Sequence, residues 1–128
     1  MARKDERPVD VGLATLSGKD EAAAVEWWKQ RLGMLAAIPI DSARVGAMTP
    51  QLRELTRIAD PAERKRLTRA RLVAFAQLPE DVRQKLRFAR QKAWDVDRGV
   101  LEADQRVVDE LLPTLDASVR AAIPSQRR

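Results

Sequence analysis

The stretch EDVRQKLRFARQKAWDVDRGVLEADQRVVDELL, residues 80–112, decides the fold. Val82, Leu86, Ala89, Ala93, Val96, Val100, Ala103, Val107 and Leu111 follow one another at spacings of 4, 3, 4, 3, 4, 3, 4 and 4. That is a helical, heptad-like period, because residues three and four apart stack on one face of an α-helix. Trp94, Leu101 and Val108 form a second stripe seven residues apart and widen the apolar face. Asp97 and Gly99 are poor helix formers, and Gly costs about 1 kcal/mol against Ala. Burying each Val or Leu of the seam is worth up to about 1.5–3 kcal/mol, so the seam predicts one continuous helix through Gly99. A helix of that length spans roughly 50 Å, and its coiled-coil-like face predicts self-association.

Working backwards, the same punctuation recurs. Ser17-Gly18-Lys19-Asp20 reads as a capping box and predicts a helix to Ala37, with Ala24, Trp28, Leu32 and Leu35 facing inward and Trp27 at the edge. Residues 38–48 read as a connector holding at most one helical turn. Thr49-Pro50 and Asp60-Pro61 each supply an N-cap and a proline at the first helical position. Pro79 ends the helix that starts at Pro61, and Pro113 and Pro124 bound a last short helix capped by Asp116. Nothing alternates as a strand does, and the chain has no Asn for an Asn-Gly hairpin. The expectation is all-α, a small bundle of four to five helices with one long C-terminal helix at about 80–112. Residues 1–16 are expected to be a flexible arm, 17–124 a single helical domain and 125–128 a polar tail.

The 128 residues contain no Cys, no His and no Tyr. This removes thiol chemistry, the commonest general base and the commonest transition-metal ligand. A phosphate loop, a nucleophile elbow and an HExxH helix are absent from the sequence as well. Asp95, Asp97, Glu102 and Asp104 could at best attract weak Mg²⁺. The expectation is a non-enzymatic protein with no catalytic residue, no metal and no cofactor. No apolar run is long enough for a membrane span, and the charged N-terminus lacks a signal-peptide core, which predicts a cytoplasmic protein. Eighteen of the 24 basic residues are Arg, a composition suited to a GC-rich bacterial genome.

The net charge of +5 is uneven. Lys65, Arg66 and Arg69 lie opposite the apolar face of Leu67, Ala70, Ala74 and Leu78, and with Arg83 and Arg90 they are the candidate phosphate contacts for nucleic acid. No aromatic residue is interleaved with them, which argues against base stacking. Trp27, Trp94, Leu101 and Val108 are the candidate partner-binding residues, since exposed Trp is enriched at binding surfaces. Three readings follow. The first is a helical interaction or scaffold protein that contacts a protein partner or itself. The second is a nucleic-acid-binding protein, and the third a small-molecule binder with an apolar pocket near Trp28 or Trp94.

Overall fold

Three of the described helices start at an aspartate whose carboxylate takes up an unpaired first-turn N–H group. Those beginning at Asp41, Glu80 and Ala117 have no side-chain cap, and the expected Asp116 cap makes no such bond. In the computed structural model, which describes Leu16 and residues 20–123, Asp20 caps α1 (Glu21–Ala37), its carboxylate accepting from the Ala23 N–H at 2.8 Å. Asp60 caps α3 (Pro61–Ala76) in the same way. Between them runs α2 (Asp41–Thr56), then come α4 (Glu80–Val96) and α5 (Arg98–Leu111), a 3₁₀ turn (Leu112–Thr114) and α6 (Ala117–Ala122). The fold is all-helical, with six α-helices among the described residues. None is long and apolar enough to cross a membrane.

The expected long helix is two helices. Asp97 (φ −148°, ψ 75°) ends α4 and caps α5, accepting from the Val100 N–H at 3.4 Å. Its other carboxylate oxygen accepts from Arg53 of α2 at 2.7 Å. The helix break thus gains a cap and a tertiary ion pair, two contributions that the local count of apolar residues omits. The break also rephases the buried face. Leu86, Ala89 and Ala93 are buried as the seam required, but Val96 is 64% exposed and Val100 is only partly packed. In α5 the inward face becomes Leu101, Asp104, Val107, Val108 and Leu111. Gly99 sits in the first turn of α5 rather than mid-helix.

Two further boundaries differ from the sequence expectation. Residues 41–48 are not a connector; α2 runs through them with Pro50 inside it. Val45, Met48, Leu52 and Leu55 supply a buried stripe that outweighs the hydrogen bond Pro50 cannot donate, and Pro50 itself is exposed. The cap of α1 is Asp20. The expected Ser17 cap, the polar tail 125–128 and the arm except for Leu16 lie outside the described residues. Leu16 is only 3% exposed and its carbonyl accepts from Arg66 at 2.9 Å, so this position belongs to the core.

Arginines tie the connections. Arg44, Arg64, Arg83 and Arg120 each occupy the fourth residue of their helix, and each donates back to a carbonyl just before it: Ile38, Ile58, Leu78 and Leu115 respectively. A carbonyl at a helix C-terminus has lost its intrahelical donor, and a guanidinium with several N–H groups can replace it. Helices α1 and α3 pack together, while α2 packs against α4 and α5. The main core gathers side chains from α1 to α5, and a smaller one joins Leu72, Val107, Val108, Leu111 and Leu115 under α6.

Substitution around the break tests this arrangement. Asp97→Ala should lower the thermal midpoint by several degrees, since it removes both the cap and the Arg53 partner. Gly99→Ala should raise stability by about 0.4–1 kcal/mol, because nothing lies within 4 Å of an added Cβ.

Candidate functional site

An acid that lands on the buried face of a helix must find a cation. Asp104 of α5 is 1% exposed, and Arg71 of α3 donates to its two oxygens at 2.9 Å each. Arg90 of α4 donates a third hydrogen bond at 2.9 Å, and also reaches the Gln105 side chain at 2.9 Å. The cluster therefore joins three helices where the two apolar cores meet. Burial works to raise the Asp104 pKa, but the two guanidiniums more than offset it and hold the carboxyl below its ordinary value. For Arg90 burial is the largest influence and pushes the pKa down; repulsion from Arg71 adds to this and Asp104 opposes it. Arg71 and Arg90 thus share one buried carboxylate.

Beside this cluster lies a half-open cavity of about 90 Å³. Its apolar wall comes from Trp28, Leu32 and Leu35 of α1, Met48 and Leu52 of α2, Leu72 and Phe75 of α3, Leu86 of α4 and Val108 of α5, with Ile123 after α6. Its polar lining consists of Gln51, Gln105, Arg71, Arg87 and Arg90, with no carboxylate among them. Trp28 is 1% exposed, and its indole N–H has no hydrogen-bond partner among the described residues. A buried donor left unmade costs about 1–3 kcal/mol.

The structure disperses the residues singled out from the sequence. Lys65 pairs with Glu110 at 3.3 Å, and Arg66 is held by both oxygens of Glu63. That Arg66 contact, chiefly through hydrogen bonding, keeps the Glu63 carboxyl below its ordinary value. Arg83 is engaged by the Leu78 carbonyl and by Glu80, and Arg90 is turned inward to Asp104. Arg69 remains half-exposed on α3. The candidate phosphate contacts therefore do not form one free basic face.

Of the candidate partner-binding residues, Trp94, Leu101 and Val108 are core residues, 8%, 0% and 2% exposed. The helix break turns their stripe inward, so they offer no surface. Trp27 is half-buried against Trp28, ring centroids 5.0 Å apart and edge-on, with the Arg31 guanidinium 4.4 Å from its ring centroid. The acids do not converge either: Asp97 pairs with Arg53, Glu102 with Arg98 and Asp104 with two arginines. Sequence reasoning missed Arg71, Arg87, Arg90 and Asp104 as a group. One signal was available: once α5 is phased on Leu101, Val108 and Leu111, Asp104 falls on the inward side.

Comparison with protein-family models, with curated proteins and with solved structures finds no match for this chain.

Asp104→Asn should cost about 3–5 kcal/mol at pH 7, because two guanidiniums lose their buried counter-charge. A depressed native pKa means that the carboxylate's contribution is complete above the unfolded value of about 3.9 and is lost as pH falls below it. Urea unfolding of both proteins should therefore show the gap between them constant from pH 7 to 5 and shrinking below about pH 4.

Proposed function

We propose that this is a non-enzymatic binding protein that receives the apolar part of a small molecule in the cavity beside Trp28. The single observation that carries the reading is the cavity itself. A protein interior is ordinarily close-packed, and a void of this size forgoes dispersion contacts that a bound group would restore. The cavity opens to solvent, so a ligand can enter without unfolding the core. Its lining is dominated by Leu, Met, Phe, Val and Trp side chains, with a few polar groups, which is the usual make-up of a small-molecule site.

The scaffold reading draws less support. The face meant to associate is largely used inside the chain, where Leu86, Ala89, Ala93, Leu101, Val108 and Leu111 are covered by other helices. The nucleic-acid reading draws less still, since Lys65, Arg66, Arg83 and Arg90 already hold partners.

Primary alcohols from butan-1-ol to octan-1-ol provide the test, titrated with intrinsic Trp fluorescence and the melting temperature as readouts. Each added methylene contributes about 0.8 kcal/mol on burial. Affinity should thus rise roughly fourfold per carbon until the enclosed space is full, then level off, and the melting temperature should rise with ligand concentration. If no alcohol changes either readout, the cavity is not a ligand site.

A further inference from the structure

We propose that the ligand of this cavity is an amphiphile with an anionic head, a short- to medium-chain carboxylate, held at its charged end by Arg87 and Arg90. This rests on the reading of the cavity as a ligand site and adds the chemical class. Its warrant is the sign of the charged residues that border an otherwise apolar cavity. Arg71, Arg87 and Arg90 are the charged residues that line the cavity, and no Asp or Glu lines it. Asp104 is shared by Arg71 and Arg90, and Glu80 by Arg87 and Arg83, so the guanidiniums outnumber the carboxylates that pair with them. Asp109, which accepts from Gln105 at 2.9 Å, also acts on Arg90 through its charge and moderates this excess. Arg87 spends one nitrogen on Glu80, an acid it shares with Arg83. A carboxylate supplies acceptors and the missing negative charge together, and its hydrogen bonds to guanidiniums are of the strong, charge-assisted kind.

The order of exposure gives the ligand its direction. Side-chain exposure rises from Arg71 at 9% through Arg90 at 16% to Arg87 at 27%. Arg87 and Arg90 are three residues apart on α4, so both guanidiniums project from one helix face. The head group therefore belongs on the α4 side toward solvent, with the tail running in along Trp28, Leu32 and Leu52. The size agrees with a short tail. A cavity of roughly 150 Å³ takes benzene, so about 90 Å³ encloses roughly four carbons and leaves the rest of the molecule in the mouth.

Hexanoate and hexan-1-ol share a tail and differ in charge, which makes them the decisive pair. Calorimetric titration at pH 7 and low salt should show hexanoate binding roughly tenfold or more tighter than hexan-1-ol. The preference should shrink as salt is added, because the head lies near solvent. Arg87→Gln, at a half-buried side chain that does not pair with Asp104, should reduce the ratio of hexanoate to hexan-1-ol affinity to less than about threefold. If hexan-1-ol binds the wild-type protein as tightly as hexanoate, the anionic class is wrong while the cavity reading stands. If neither molecule binds at millimolar concentration, the cavity reading itself fails. If the preference survives both Arg87→Gln and Arg90→Gln, each shown to be folded by circular dichroism, the assignment of the head group to α4 is overturned.

Discussion

Asp104 and its two arginines constrain how the rest of this chain can pack. A carboxylate with 1% exposure, reached by Arg71 from α3 and Arg90 from α4, fixes the rotation of three helices about their axes at once. Turning α5 by one residue would carry Asp104 away from both guanidiniums and leave three buried charges unpaired, a penalty of several kcal/mol. Apolar contacts alone, in a core built largely of Ala, Leu and Val, would tolerate such a slip more readily. The charged cluster therefore supplies the specificity that a smooth core lacks. It also places two guanidiniums on the wall of the cavity, where they are held by the fold before any ligand arrives.

Arginine serves this chain mainly as a structural residue. Arg44, Arg64, Arg83 and Arg120 close the ends of the preceding segments, Arg53 anchors the α4–α5 joint, and Arg71 and Arg90 hold Asp104. The planar, multi-donor guanidinium suits all three tasks, since it can satisfy a carbonyl and a carboxylate at fixed angles while its stem packs on apolar neighbours. A high positive charge in the composition thus need not signal a polyanion partner. Much of it is used within the chain, and the excess that concentrates at the cavity is the part with a bearing on ligand chemistry.

The α1 stripe of Ala24, Trp28, Leu32 and Leu35, the Asp60 cap of α3 and the all-helical class follow from local patterns alone, because periodicity and capping act within a turn or two of the chain. Pro79 and Pro113 marked their boundaries for the same reason. By contrast, α2 runs through Pro50 because its stripe from Val45 to Leu55 is buried by neighbours far along the chain. The break at Asp97 likewise depends on Arg53, forty-four residues away. A seam of 4-3 spacings says that the face is apolar; it does not say whether one straight helix or two folded-back ones will cover it. Folding back buried Trp94, Leu101 and Val108 within the chain, where a 50 Å rod would have needed a second copy. The cavity and its three arginines had no local signature at all. The sequence alone determined the all-helical class and the lack of Cys, His and Tyr; tertiary packing decided where α2 begins, where the longest pattern breaks and which charges become neighbours, because all three turn on contacts between residues that only the fold brings together.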